Sequence, residues 1–119
     1  MNDYKKLQVW EKGVTLVVAV YDLTREFPES EKFGLTAQMR RSAVSVPSNI
    51  AEGKMRSGDS ELRRFLFIAL ASGAELETQI EIAKRIRETK NLDYDQVDRL
   101  LLETMKMLNA LISKLAASR

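Results

Sequence analysis

The stretch GLTAQMRRSAVSVPSNIAEGKMR, residues 34–56, has the residue spacing of a helix although it carries a proline, Pro47, at its centre. An interior proline removes one backbone hydrogen bond and sets its ring against the carbonyl four residues earlier, at a cost of about 3 kcal/mol. Apolar residues nevertheless recur at spacings of four and three on both sides of it: Leu35, Met39, Ala43, Val46 and Ile50. Because this stripe continues past Pro47, the spacing predicts one helix that is kinked there, and two helices broken at the proline are the alternative.

Three further segments outside this stretch also carry helical periodicity. The first covers residues 5–26 with the stripe Leu7, Trp10, Val14, Val17, Tyr21 and Thr24. The third covers residues 60–88 with Leu62, Leu66, Ala69, Gly73, Leu76, Ile80 and Ala83. The fourth begins at Asp93 and has Val97, Leu101, Thr104, Leu108, Leu111 and Leu115. Heptad spacing with short connections predicts an all-α fold, an antiparallel up-down-up-down four-helix bundle.

Length and composition set the class of protein. A chain of 119 residues fits one domain, so we expect a single domain over residues 1–119. The sequence has no cysteine and no hydrophobic signal segment near its start, which favours the cytoplasm. Apolar runs such as residues 16–20 are far shorter than the roughly 20 residues that span a bilayer, so no membrane partner is expected.

Three segments of the chain resemble a known bacterial family. They are LQVWEK (residues 7–12), FGLTAQMRRSAVSVPSNIAEG (33–53) and RRFLFIALASGAELETQ (63–79), and PSNIAEG is the most specific part. They are similar to four-helix-bundle proteins encoded within intervening sequences of 23S ribosomal RNA genes, whereas the fourth helix agrees in length and pattern only. This resemblance implies a homopentamer, a ring of bundles around a central pore. A distant relation to the accessory variability determinant of diversity-generating retroelements further implies that such rings bind nucleic acid and a reverse transcriptase.

Positive charge is concentrated in one part of the chain. Residues 35–64 hold six basic and three acidic residues, a net charge of +3, whereas the whole chain has only +2. The six basic residues are Arg40, Arg41, Lys54, Arg56, Arg63 and Arg64. Since arginine suits bidentate phosphate contacts, this basic face of helix two and the start of helix three predicts binding to the backbone of RNA or DNA. The alternative is an ordinary solvated surface whose arginines pair with Glu52, Asp59 and Glu61, because no aromatic residue lies between them for base stacking.

Helices one and four have more apolar residues than one stripe requires. The excess predicts self-association, with interface contacts at Leu16, Val18, Val20, Leu102 and Met105. Small residues in helix three, among them Ala71 and Ala74, predict a close helix approach inside the subunit or across the interface. The alternative is that wide apolar faces fit a broad core.

The absence of histidine argues against catalysis. It removes the commonest general base and the usual catalytic triads. The densest carboxylates for a magnesium site are Glu75, Glu77 and Glu81, but Glu75 lies off the helix face that the other two share. We therefore expect a non-enzymatic protein without a cofactor or metal. It is either a homo-oligomer that binds nucleic-acid backbone, or a protein-binding scaffold or adaptor ring that does not.

Overall fold

Four helices form nearly all of the protein in a computed structural model, which describes residues 3–117. They are α1 (Gln8–Thr24), α2 (Leu35–Met55), α3 (Asp59–Arg85) and α4 (Asp95–Ala117), with short 3-10 turns at Asp3–Lys6 and Glu29–Glu31. The described part of the chain contains no strand, so the predicted all-α four-helix fold is confirmed. No helix within residues 3–117 is both long and apolar enough to cross a membrane.

Contacts between neighbouring helices show that the bundle is antiparallel, because residue numbers rise along one helix as they fall along the next. The pairs are Thr24 with Arg40 and Gly13 with Pro47 for α1 and α2, and Ser42 with Glu75 and Ser45 with Ser72 for α2 and α3. Ion pairs join α4 to both of its neighbours: Lys84 to Asp98 at 2.6 Å and Lys12 to Glu103 at 3.0 Å. Each helix therefore packs against two others, in up-down-up-down order.

The proline in α2 lies inside a continuous helix, as the apolar stripe predicted, and the kink at Pro47 stays a prediction. Pro47 is buried against Gly13 of α1, where an added methyl group would lie 3.3 Å from the proline Cβ. The bare backbone at Gly13 thus leaves room for the proline ring. Pro47 is part of the α1–α2 packing, which explains why an interior proline is tolerated here.

The core contains the predicted stripes of α2, α3 and α4 but not that of α1. The buried residues of α1 are Val9, Gly13, Leu16, Ala19, Val20, Leu23 and Thr24. Of the stripe predicted there, only Thr24 is buried, so this prediction was wrong by one helix position. The apolar run at residues 16–20 fits two different stripes. The stripe that is buried passes through Gly13, which has no apolar side chain, so the sequence pattern does not favour it.

The end of α3 differs from the prediction, because the helix stops at Arg85 and not at residue 88. The Thr89 hydroxyl donates to the Ala83 carbonyl at 2.6 Å, and the Tyr94 hydroxyl donates to the Thr89 carbonyl at 2.9 Å. These buried bonds turn the chain back toward the bundle. The carboxylate of Asp93 then accepts a hydrogen bond from the Asp95 amide at 3.0 Å, at the start of α4.

Candidate nucleic-acid interface

The connection from α2 to α3 brings two arginines onto one aromatic ring. The guanidinium carbon of Arg56 lies 4.9 Å from the centroid of Phe65, and that of Arg64 lies 4.5 Å from it. Phe65 is only 7% exposed. It packs under Gly53 of α2, where an added methyl group would lie 2.7 Å from the Phe65 Cβ. The close approach of α2 and α3 at Gly53 therefore positions both guanidinium groups.

A third arginine lies over a second aromatic ring, one that faces solvent. The guanidinium carbon of Arg63 lies 5.0 Å from the centroid of Phe67, and its Nε donates to the Ile112 carbonyl of α4 at 3.3 Å. Phe67 is 46% exposed. The prediction from charge alone does not include these rings, because both follow the arginines in RRFLF and do not lie between them. We call Arg56, Arg63, Arg64, Phe65 and Phe67 the arginine corner.

Two glutamates compensate part of the charge at the arginine corner. Glu52 binds Arg56 at 2.8 Å, and Glu61 accepts from Nε and Nη2 of Arg64 at 3.1 and 3.2 Å. The hydrogen bond from Arg64 lowers the pKa of Glu61, and the same bond raises the pKa of Arg64. The predicted alternative of paired arginines is thus partly realised. Exposed pairs of this kind contribute about 0–1 kcal/mol, so a phosphate oxygen can compete for the same N–H groups.

Two of the six predicted basic residues have no hydrogen-bond or ion-pair partner within residues 3–117. Arg41 is exposed and Lys54 is half-buried, and neither has a hydrogen bond or ion pair to the residues that the structure describes. Lys54 lies at the end of α2, beside the arginine corner. Arg41 lies about 22 Å from Arg56 along α2, by the helical rise per residue, and does not belong to the corner.

The side chain of Arg40 is bound to α1. Its guanidinium carbon lies 4.3 Å from the centroid of Tyr21, and its Nε donates to the Thr24 hydroxyl at 2.9 Å. The Thr24 hydroxyl in turn donates to the Val20 carbonyl at 2.7 Å. Arg40 therefore ties α2 to the end of α1, and its planar charge is already covered by an aromatic ring. Arg40 does not belong to the arginine corner.

The five predicted contacts between subunits occupy two different environments. Leu16 and Val20 are both 0% exposed and belong to the core, so a second subunit has no surface to contact there. Val18 and Leu102 are exposed, at 55% and 56%. Met105 is half-buried, and its sulfur occupies the space that a side chain at Gly73 would need. Only Val18, Leu102 and Met105 keep accessible surface for an interface.

A further apolar surface lies on the solvent side of α3. It consists of Ile68, Ala71, Ala74, Thr78 and Ile82, all exposed, which we call the outer stripe of α3; Phe67 of the arginine corner lies on the same face, one turn before Ala71. The sequence predicts a close helix approach at Ala71 and Ala74 without assigning it to one face of α3. Their spacing of three and four, opposite the predicted core stripe, is the signal that identifies this surface.

The glutamates of α3 do not converge on a metal site. Glu75 accepts a hydrogen bond from the Ser42 hydroxyl at 3.1 Å, and Glu81 pairs with Arg85 at 3.0 Å. Among residues 3–117, no three carboxylates are grouped closely enough to hold a metal ion.

The structure defines the class of protein as an α-helical bundle with an arginine corner at one end and an exposed apolar stripe along α3. The family model for the 23S rRNA-intervening sequence protein matches residues 5–110. The chain therefore belongs to that family, as the resemblance of its first three helices predicted. No curated protein matches the sequence significantly.

Proposed function

We propose that this protein assembles into a homopentamer and binds the backbone of RNA or DNA at the arginine corner, without catalysing a reaction. Membership of the family fits a small non-enzymatic protein. The observation that carries the proposal is the stacking of Arg56 and Arg64 on Phe65 and of Arg63 on Phe67, near the start of α3. These three arginines lie within residues 35–64, the part of the sequence that holds the net positive charge.

Fixed guanidinium groups suit phosphate recognition. Arginine presents a planar set of N–H donors that matches two phosphate oxygens, and stacking on an aromatic ring limits the entropy lost on binding. Surface ion pairs with Glu52 and Glu61 orient Arg56 and Arg64. Such pairs are weak, so a phosphate can displace the carboxylates at little energetic cost. Lys54 adds an unpaired charge beside them. Such contacts recognise the nucleic-acid backbone and do not depend on the base sequence.

We expect the double substitution Arg56→Ala, Arg64→Ala to reduce the salt dependence of nucleic-acid binding. Each lost phosphate contact lowers the slope of log K against log salt by about 1, so the double variant loses about 2. Anisotropy of a labelled RNA, titrated from about 50 to 200 mM salt, measures this slope. Arg40 is left unchanged because its substitution loosens the contact between α1 and α2.

The matched control for this test is Arg25→Ala, Arg85→Ala. It removes the same charge from two exposed arginines that pair with nearby carboxylates, Asp22 and Glu81. We expect the control to keep the wild-type slope. The proposal is wrong if the wild-type protein shows no binding at low salt, or if both double variants lose the same slope.

A second candidate function is a protein-binding scaffold or adaptor ring without nucleic-acid binding, and the outer stripe of α3 favours it. Exposed isoleucines flank two alanines, and small side chains let another helix approach closely. A ring needs two different faces in each contact, for which the outer stripe and the group of Val18, Leu102 and Met105 are our candidates. A reverse transcriptase is the proposed protein partner. Its co-purification after nuclease treatment, unchanged by Arg56→Ala, Arg64→Ala, would favour this function.

We expect Ala74→Glu to dissociate the assembly, because it places an unpaired charge in the centre of the outer stripe. Ser113→Glu, at an exposed position on α4, is the control that adds the same charge elsewhere. Light scattering coupled to size exclusion should give a pentamer for the wild type and for the control, and a monomer for Ala74→Glu. A monomeric wild type would rule out assembly, and a pentameric Ala74→Glu would rule out the outer stripe as an interface.

A further inference from the structure

We propose that the arginine corner binds single-stranded nucleic acid in preference to a duplex, with an unstacked base lying on the exposed ring of Phe67. This inference rests on the proposed function and adds to it the form of nucleic acid that the site takes.

The argument begins with the unequal burial of two neighbouring phenylalanines. Phe65 is 7% exposed and forms part of the contact between α2 and α3, whereas Phe67, half a helical turn further on, is 46% exposed. Arg63 covers part of Phe67 and is itself held by the Ile112 carbonyl of α4. Phe67 is therefore held at the surface beside a fixed positive charge.

An exposed ring beside arginines matches the chemistry of single strands. Proteins that bind single-stranded nucleic acid combine aromatic side chains, on which bases stack, with a positive surface that follows the backbone. In a duplex the base faces are already stacked on one another, so Phe67 has no base to contact unless the helix opens. The single-stranded form is the one that can use the ring and the charges together.

The charges are placed to hold the backbone next to a base on Phe67. Arg63 and Arg64 lie four and three residues before Phe67, about one helical turn of 5.4 Å away on the same side of α3. Arg56 shares the ring of Phe65 with Arg64, which extends the positive surface toward α2. The guanidinium group of Arg63 is thus the one placed beside a base on Phe67, and those of Arg56 and Arg64 lie on Phe65, half a helical turn away.

The test compares a single-stranded RNA with its duplex, using the full chain and its Phe67→Leu variant. We expect the wild type to prefer the single strand, and Phe67→Leu to weaken binding of that strand by about 5- to 150-fold, the range for loss of one aromatic stacking contact. Duplex binding and the salt slope should stay unchanged, because the charges are kept. Phe67→Trp should restore binding to the single strand.

Phe33→Leu is the matched control. Phe33 is 89% exposed in the connection before α2, at the opposite end of that helix, and its substitution should leave both affinities unchanged. The inference is overturned if the wild type prefers the duplex, or if Phe67→Leu weakens binding of the single strand and the duplex equally or weakens neither. It is also overturned if Phe67→Leu changes the number of subunits and leaves the affinity for the single strand unchanged. The proposed function fails separately, when the wild type binds neither form at low salt.

Discussion

We expect Leu16→Ala to lower the free energy of unfolding by about 3 kcal/mol. Leu16 is 0% exposed and lies in the core cluster with residues of all four helices, including Met39, Leu76 and Leu101. Truncation of a fully buried leucine removes its transfer free energy and leaves a cavity that a packed bundle fills only in part. Urea denaturation followed by circular dichroism measures the change, as a lower midpoint with an unchanged slope.

Leu102→Ala is the matched control for Leu16→Ala. It is the same substitution at a leucine that is 56% exposed on α4. At a protein concentration low enough to keep the chain monomeric, its cost should stay within about 0.5 kcal/mol, as at most surface sites. Equal losses at Leu16 and Leu102 would contradict the structure, because they would place both side chains in the same environment. A cost at Leu102 that appears only at high concentration would instead indicate an interface.

The helices were predictable from the sequence where apolar and polar faces are distinct. The stripe of α2 could be followed through Pro47 because Arg41, Ser48 and Glu52 mark the opposite face as polar. In α1 the run at residues 16–20 is apolar all round, so periodicity could not select the buried side. What selects it is the fit of Gly13 against Pro47, which depends on how α1 and α2 pack.

The candidate site was predictable in position but not in composition. Charge counting found the surplus between α2 and α3, and the pairs Glu52–Arg56 and Glu61–Arg64 follow from helical spacing of four and three. The role of Arg40 depends on Tyr21 and Thr24, which meet it only after α1 and α2 pack together. Phe65 and Phe67 were visible in RRFLF, and their importance depends on which of the two is buried.

The close approach of α2 to α3 at Gly53 provides the second large effect. We expect Gly53→Ala to lower the free energy of unfolding by about 2 kcal/mol, within the range for overpacked cores, although alanine favours a helix over glycine by about 1 kcal/mol. The added methyl group would lie 2.7 Å from the Phe65 Cβ and 3.3 Å from the Leu62 carbonyl oxygen. Neither atom is the end of a flexible side chain, so the two helices must move apart.

Gly73→Ala separates this backbone effect from simple crowding. Gly73 is also buried within a helix, and its added methyl group would meet the sulfur of Met105 even more closely. A methionine side chain can rotate away, so the gain in helix propensity should offset most of the cost and leave a change of under about 1 kcal/mol. Urea denaturation of both variants measures the difference. If Gly73→Ala lowers the free energy of unfolding as much as Gly53→Ala, crowding alone sets the penalty, and the separation of α2 and α3 is not fixed by Gly53.

The same two variants should differ in nucleic-acid binding, because Phe65 orients Arg56 and Arg64. We expect Gly53→Ala to weaken this binding and Gly73→Ala to leave it unchanged.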